Sequence, residues 1–147
     1  MSMITVSEAH ERLKKNNRVR VGDESVDLKD CHGRVLAADV VSSIDVPPAD
    51  NSAMDGYALR REDWLGADQA LEISQRITAG TPPAALKPGT AARIFTGAET
   101  PEGADVVVMQ EKCKADDHQV YMDAVGDIGA NIRPRGQDIR QDRKSVV

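Results

Sequence analysis

The apolar positions along the chain fall into two regimes: one segment of helical spacing, then a long series of short, partly alternating stretches. Val6, Ala9 and Leu13 recur on one side of a 3.6-residue repeat, with His10, Glu11 and Arg12 left for water, which predicts an amphipathic helix. Thr5 with Glu8 three residues on forms a capping box, in which each side chain satisfies the other residue's orphan amide. Lys14 and Lys15 suit the negative end of the helix dipole, and Asn16-Asn17 is the expected stop.

The pattern then changes. Residues 25–28 and 34–41 have strand-like content, and Cys31-His32-Gly33-Arg34 supplies a turn between them. Residues 71–78, with Leu71, Ile73 and Ile77 expected on one face, are followed by further strands at 92–96, 106–110 and 120–122. Thr81-Pro82-Pro83, Lys87-Pro88-Gly89 and Pro101-Glu102-Gly103 are the breaks. Short strands at this spacing predict a compact β domain, a small barrel or sandwich. The α+β class follows, with an N-terminal helix ahead of a β-rich region. Ser145-Val146-Val147 reads as the start of a strand cut short, so a fragment or truncated gene is expected.

Composition narrows the function. The net charge is −5 and aromatics make up 3% of the chain, which disfavours nucleic acid as a partner, because such binders carry basic excess and stacking rings. No apolar run approaches the roughly 20 residues that span a membrane. Cys31 and Cys113 stand far apart in no paired motif, which fits a reduced, cytoplasmic chain. His10, His32 and His118 are dispersed and offer no metal-ligand spacing. Met54 and Met109 read as core filling.

Three stretches are richer in special residues than a β core requires. In Asp45-Val46-Pro47-Pro48-Ala49-Asp50-Asn51-Ser52-Ala53-Met54-Asp55-Gly56-Tyr57-Ala58, prolines stiffen the approach and Asp55 precedes a glycine that lets backbone come close. The plainer reading is a hairpin turn with solvated acids. In Arg93-Ile94-Phe95-Thr96-Gly97-Ala98-Glu99-Thr100-Pro101-Glu102-Gly103-Ala104-Asp105, a strand ends on Thr96-Gly97, where a hydroxyl and exposed amides can form an anion-binding nest. The plainer reading is a loop between core strands, and the absence of Gly-Lys-Ser/Thr removes a P-loop. In Gly129-Ala130-Asn131-Ile132-Arg133-Pro134-Arg135-Gly136-Gln137-Asp138-Ile139, Arg133 and Arg135 share one face of an extended segment and suit an oxyanion. Surface salt bridges are the alternative.

Together and in this order, the three stretches resemble the molybdopterin molybdenumtransferase family, which includes the bacterial MoeA proteins and the gephyrin E domain. The matching text is Pro47-Pro48-Ala49-Asp50-Asn51-Ser52-Ala53-Met54-Asp55-Gly56-Tyr57-Ala58, the Arg93-to-Glu111 stretch and Asn131-Ile132-Arg133-Pro134-Arg135-Gly136-Gln137-Asp138-Ile139; the opening helix and Gly33-Arg34-Val35-Leu36-Ala37 also fit. The resemblance covers nearly the whole chain. Pro134 stands where the family often has arginine, and Gln137 where glutamate is usual, so the local charge differs from the family pattern.

The resemblance implies an enzyme that inserts molybdate-derived molybdenum into adenylated molybdopterin, releases AMP and uses Mg2+. It implies an N-terminal mixed α/β lobe at 1–45 with a β-rich lobe inserted at 46–140 and a return to the first lobe at 141–147, in an elongated homodimer whose cleft lies between the β-rich lobe of one subunit and the pterin-binding domain of the other. A molybdopterin adenylyltransferase is a further expected partner. By position, Asp55 and Thr96 become the catalytic candidates, with Asp55 also a metal ligand. Ser52, Gly97, Arg133 and Arg135 become candidates for binding substrate or anion. The pterin-binding domain has no counterpart in this sequence, so the isolated chain is expected to be inactive. A non-catalytic dimerisation module of the same fold and a plain oxyanion-binding β domain are the competing readings.

Overall fold

The computed structural model describes residues 3–16 and 21–142. Asn17, expected to stop the first helix, and Ser145 to Val147, expected to begin a strand, lie outside the described residues. The chain forms two compact units, Met1–Asp39 and Val40–Val147.

In the first unit, α1 spans Val6–Asn16. Its capping box is formed: the Thr5 amide donates to Glu8 Oε2 at 2.8 Å, and the Glu8 amide donates to Thr5 Oγ1 at 3.2 Å. The helix buries no residue; Val6 and Leu13 are exposed. The turn at Cys31 to Arg34 is present, with Gly33 at φ 79° and the Arg34 amide donating to the Cys31 carbonyl. Among the described residues no strand forms at 25–28 or 34–41, where Val41 alone makes a bridge: a short 3-10 turn covers Leu28–Asp30, and Val26, Val35, Leu36 and Val40 are exposed. β-branched content makes a strand only where a ladder partner exists, and among the described residues this segment has none to form a strand with.

The second unit begins six residues before the expected lobe boundary because residues 42–46 hydrogen-bond to the end of the described chain. The Val46 amide donates to the Ile139 carbonyl, and the Asp142 amide to the Ser42 carbonyl. Eight strands follow: β1 Asn51–Ser52, β2 Gly56–Leu59, β3 Leu71–Ile77, β4 Thr90–Ile94, β5 Val106–Met109, β6 Cys113–Ala115, β7 Gln119–Met122 and β8 Ile132–Arg133. β1 and β8 pair with each other, and the others form one sheet in the order β5-β2-β4-β3-β7-β6. Only a three-residue 3-10 turn joins β5 to β6, the two outermost strands, so the sheet has to curl. The result is half of a barrel rather than a sandwich. All pairings are antiparallel except β3 with β4, and the loop between those strands provides the crossover that a parallel pair needs.

Both faces of the sheet are buried. Tyr57, Leu59, Val106 and Val108 belong to one apolar cluster, while Ala58, Ile94 and Val107 belong to the other. A strand buried on both sides reads as a continuous apolar run, as Val106-Val107-Val108 does. The expected single face for Leu71, Ile73 and Ile77 is corrected by a bulge between Ile73 and Gln75. The extra residue, Ser74, turns Ile77 into the second cluster while Leu71 and Ile73 stay with the first. Ser74 Oγ meets Thr90 Oγ1 at 2.8 Å and so has a partner inside the sheet. Met54, expected in the core, is exposed, because it sits in the turn before β2. Among the described residues no helix is long and apolar enough to cross a membrane.

Candidate functional site

The first two motifs meet at the β2–β4 pair. Gly56 lies opposite Ile94 in that ladder and opposite Met109 on the other side. This register places Asp55, just before β2, beside Thr96, just after β4. The Thr96 amide and the Thr96 hydroxyl each donate to Asp55 Oδ1 at 2.7 Å. The Gln110 amide donates to the Asp55 carbonyl, fixing the backbone as well. The Thr96 amide bond and then its hydroxyl bond hold the Asp55 carboxyl below its ordinary range against opposing desolvation, with a lesser lowering from the charge of Arg93. Asp55 is therefore ionised at neutral pH. Among the described residues its second oxygen, Oδ2, accepts no hydrogen bond.

Thr96→Val is expected to move the Asp55 carboxyl back up toward its ordinary value, because one of its two donors disappears while the amide remains. The sign follows from linkage: a depressed native pKa contributes stability that is complete above the unfolded value of about 4 and is lost as pH falls through the lower native value. Carbon-13 titration of the Asp55 carboxyl in both proteins checks this, and an unchanged titration would remove the hydroxyl from the account.

The anion nest expected at Thr96-Gly97 is not free. Thr96 donates its amide to Asp55, Gly97 to the Ser52 carbonyl and Ala98 to the Phe95 carbonyl. Asp55 is itself the anion on this loop, and an incoming dianion would have to displace it. Ser52 is buried, and its hydroxyl closes the turn by donating to the Met54 carbonyl at 2.6 Å. It supports the site through its backbone.

The third motif lies next to the first. Arg133 in β8 pairs with Asn51 in β1, and the Ala53 amide donates to the carbonyl of Asn131, which holds φ 58°. Arg133 donates to Asp138 at 2.6 Å. Arg135 donates through Nε to Asp45, and its amide donates to Asp50 Oδ1 at 2.7 Å. Both arginines are thus engaged in salt bridges that fasten the third motif to itself and to the first. Among the described residues no hydrogen bond joins either to Asp55 or Thr96.

Sequence reasoning missed Arg93. Its guanidinium donates to the Gly56 carbonyl at 2.9 Å and to Gln110 Oε1, and it lies over Tyr57 at 5.2 Å and Phe95 at 4.6 Å. It therefore braces both chain segments flanking Asp55. The available signal was the alternation of Arg93 and Phe95 at the end of a strand, but its meaning depends on pairing with β2. Cys113 is no nucleophile: burial pushes its thiol up to about 11, and it donates to the Met109 carbonyl. Among the described residues no three His, Cys, Asp or Glu side chains gather as a metal cage.

Residues 4–146 match the family described as the MoeA N-terminal region (domain I and II). The chain is 51% identical over 104 residues to the molybdopterin molybdenumtransferase of Nostoc sp., covering 67% of this chain and 24% of that protein. It is 35% identical over 141 residues to that of Haemophilus influenzae, covering 95% and 35%. Among solved structures, the molybdopterin biosynthesis moeA protein from Pyrococcus horikoshii superposes with TM-score 0.75 at 34% identity, over 84% of this chain and 34% of that one. The chain thus spans about a quarter to a third of the length of these relatives. With its first two motifs meeting at the Asp55–Thr96 pair, the third fastened to the first, and residues 4–146 matched, this chain belongs to the MoeA N-terminal family.

Proposed function

We propose that this chain supplies one wall of the catalytic cleft of a cytoplasmic molybdopterin molybdenumtransferase, which moves molybdenum from molybdate into adenylated molybdopterin and releases AMP. The observation that carries the reading is the ionised Asp55 carboxylate, with one oxygen pinned by Thr96 and the other free to act. A fixed carboxylate of lowered pKa is a hydrogen-bond acceptor rather than an acid. It suits orienting a water or hydroxyl for attack on an adenylate phosphate.

As for Mg2+, a single carboxylate oxygen fits a cation that takes its other ligands from water and substrate phosphates, which is how Mg2+ is commonly held. Asp55 Oδ2 would be this chain's contribution. The cation's chemistry would be neutralisation of phosphate charge. The opposite wall would come from the pterin-binding domain of the other subunit in a homodimer, and a molybdopterin adenylyltransferase would deliver the substrate. The exposed Val6, Leu13, Leu28 and Val35 of the first unit support an additional interaction role for that unit, which is the second reading.

The test is reconstitution. The 147-residue chain alone is expected to release no AMP from adenylated molybdopterin in the presence of molybdate and Mg2+. Addition of the separately produced remaining domains of a relative is expected to restore release. Turnover by the chain alone would contradict the proposal.

A further inference from the structure

The Thr96 loop amides are occupied and Arg133 and Arg135 are ion-paired, whereas a different pair of arginines lines a cavity. β3 and β4 run parallel with Arg76 directly opposite Arg93. Both guanidiniums lie over the same ring: Arg76 is 4.6 Å from the Phe95 centroid, and Arg93 is also 4.6 Å from it. Their central carbons are therefore no more than about 9 Å apart. They open onto a cavity of about 350 Å³ that Tyr57, Ile73, Ala115, Asp116 and Asp117 also line.

The bonding around this cavity is uneven. Arg34, Arg60, Arg133 and Arg135 each find a carboxylate in this acidic chain. Arg93 bonds only neutral acceptors, and among the described residues Arg76 has no hydrogen bond or ion pair. Asp116 and Asp117 line the same cavity, yet neither forms an ion pair with these arginines. Asp116 instead accepts the amides of His118 and Gln119, both at 2.8 Å. Stacking on Phe95 orients the Arg76 guanidinium while its N–H edge carries no hydrogen bond among the described residues, and Arg93 adds a second positive charge at the same cavity.

We propose that Arg76 and Arg93 form a binding site for a phosphate-class tetrahedral oxyanion, either free or at the end of a phosphate ester whose donors face Asp116 and Asp117. The site stands on this geometry and does not depend on the transferase reading. Arg76 is the residue that tests it, because it is exposed and its loss should leave the fold intact.

Amide and arginine Nε resonances of the 147-residue chain would be followed during titration with inorganic phosphate, ribose 5-phosphate and ribose. Saturable shifts at Arg76, Arg93 and Phe95 are expected with at least one of the two phosphates and none with ribose. Arg76→Gln should weaken that binding about tenfold or more, as expected for a lost charge-assisted contact, and Arg76→Lys should weaken it less. Binding by inorganic phosphate at least as tight as by ribose 5-phosphate would identify a free oxyanion as the ligand, and tighter binding of ribose 5-phosphate an ester. No saturable shift with either, or equal affinity in a folded Arg76→Gln variant, would overturn the proposal.

Discussion

Replacing Gly56 by alanine is expected to destabilise the second unit by about 3 kcal/mol, a lowering of Tm on the order of 10 °C. A Cβ at this position would lie 2.0 Å from the Val108 carbonyl oxygen and 3.2 Å from the Met109 Cα. Those atoms are backbone of β5, so no rotamer change relieves the overlap and β2 must separate from β5. Leu59, Val106 and Val108 pack along the same pair, and the disturbance therefore reaches the core. Gly97→Ala is the contrast. Its Cβ would meet open space, and the cost should be only that of a left-handed residue, roughly 1–2 kcal/mol. Thermal or urea unfolding of the two variants beside the parent checks both values. Equal small losses would mean that β2 and β5 are not held as closely as described.

Asp55→Asn should leave the fold in place and lower molybdenum insertion about a hundredfold or more in the reconstituted enzyme. Asparagine keeps an oxygen at the Oδ1 position, so the Thr96 amide and hydroxyl retain an acceptor. What disappears is the negative charge, together with the free second oxygen that would contact substrate or cation. Loss of activity with unchanged unfolding behaviour would separate a chemical role from a structural one. An unfolded variant would return Asp55 to the hairpin-turn reading.

The sequence made some of this legible because the relevant physics is local. The capping box needs only Thr5 and Glu8, and Asp55-Gly56 announces a carboxylate next to a close backbone approach. The motifs on either side of Asp55 and Thr96 also carried the family. Long-range pairing was the hidden part. Gly56–Leu59 looked like the far side of a turn, yet it is a central strand, because its partners stand some 35 and 50 residues away at β4 and β5. The same distance concealed Arg93 and Arg76, whose alignment exists only once β3 runs parallel to β4. Alternation predicted Ile77 on the wrong face because a bulge shifts the phase without marking the sequence. Spacing suggested one shared face for Arg133 and Arg135, yet they bond different carboxylates, Asp138 five residues on and Asp45 from a remote segment.

A double-mutant cycle on the reconstituted enzyme tests most directly whether Asp55 and Thr96 form one reacting unit. The rate of molybdenum insertion would be compared for the parent, Asp55→Asn, Thr96→Val and the double variant. If Thr96 works by holding Asp55, the double variant should be no slower than Asp55→Asn alone, because the threonine has no charged oxygen left to position. Losses that multiply across the two single variants, or full activity in Asp55→Asn, would contradict the assignment of this pair as the catalytic feature of the chain.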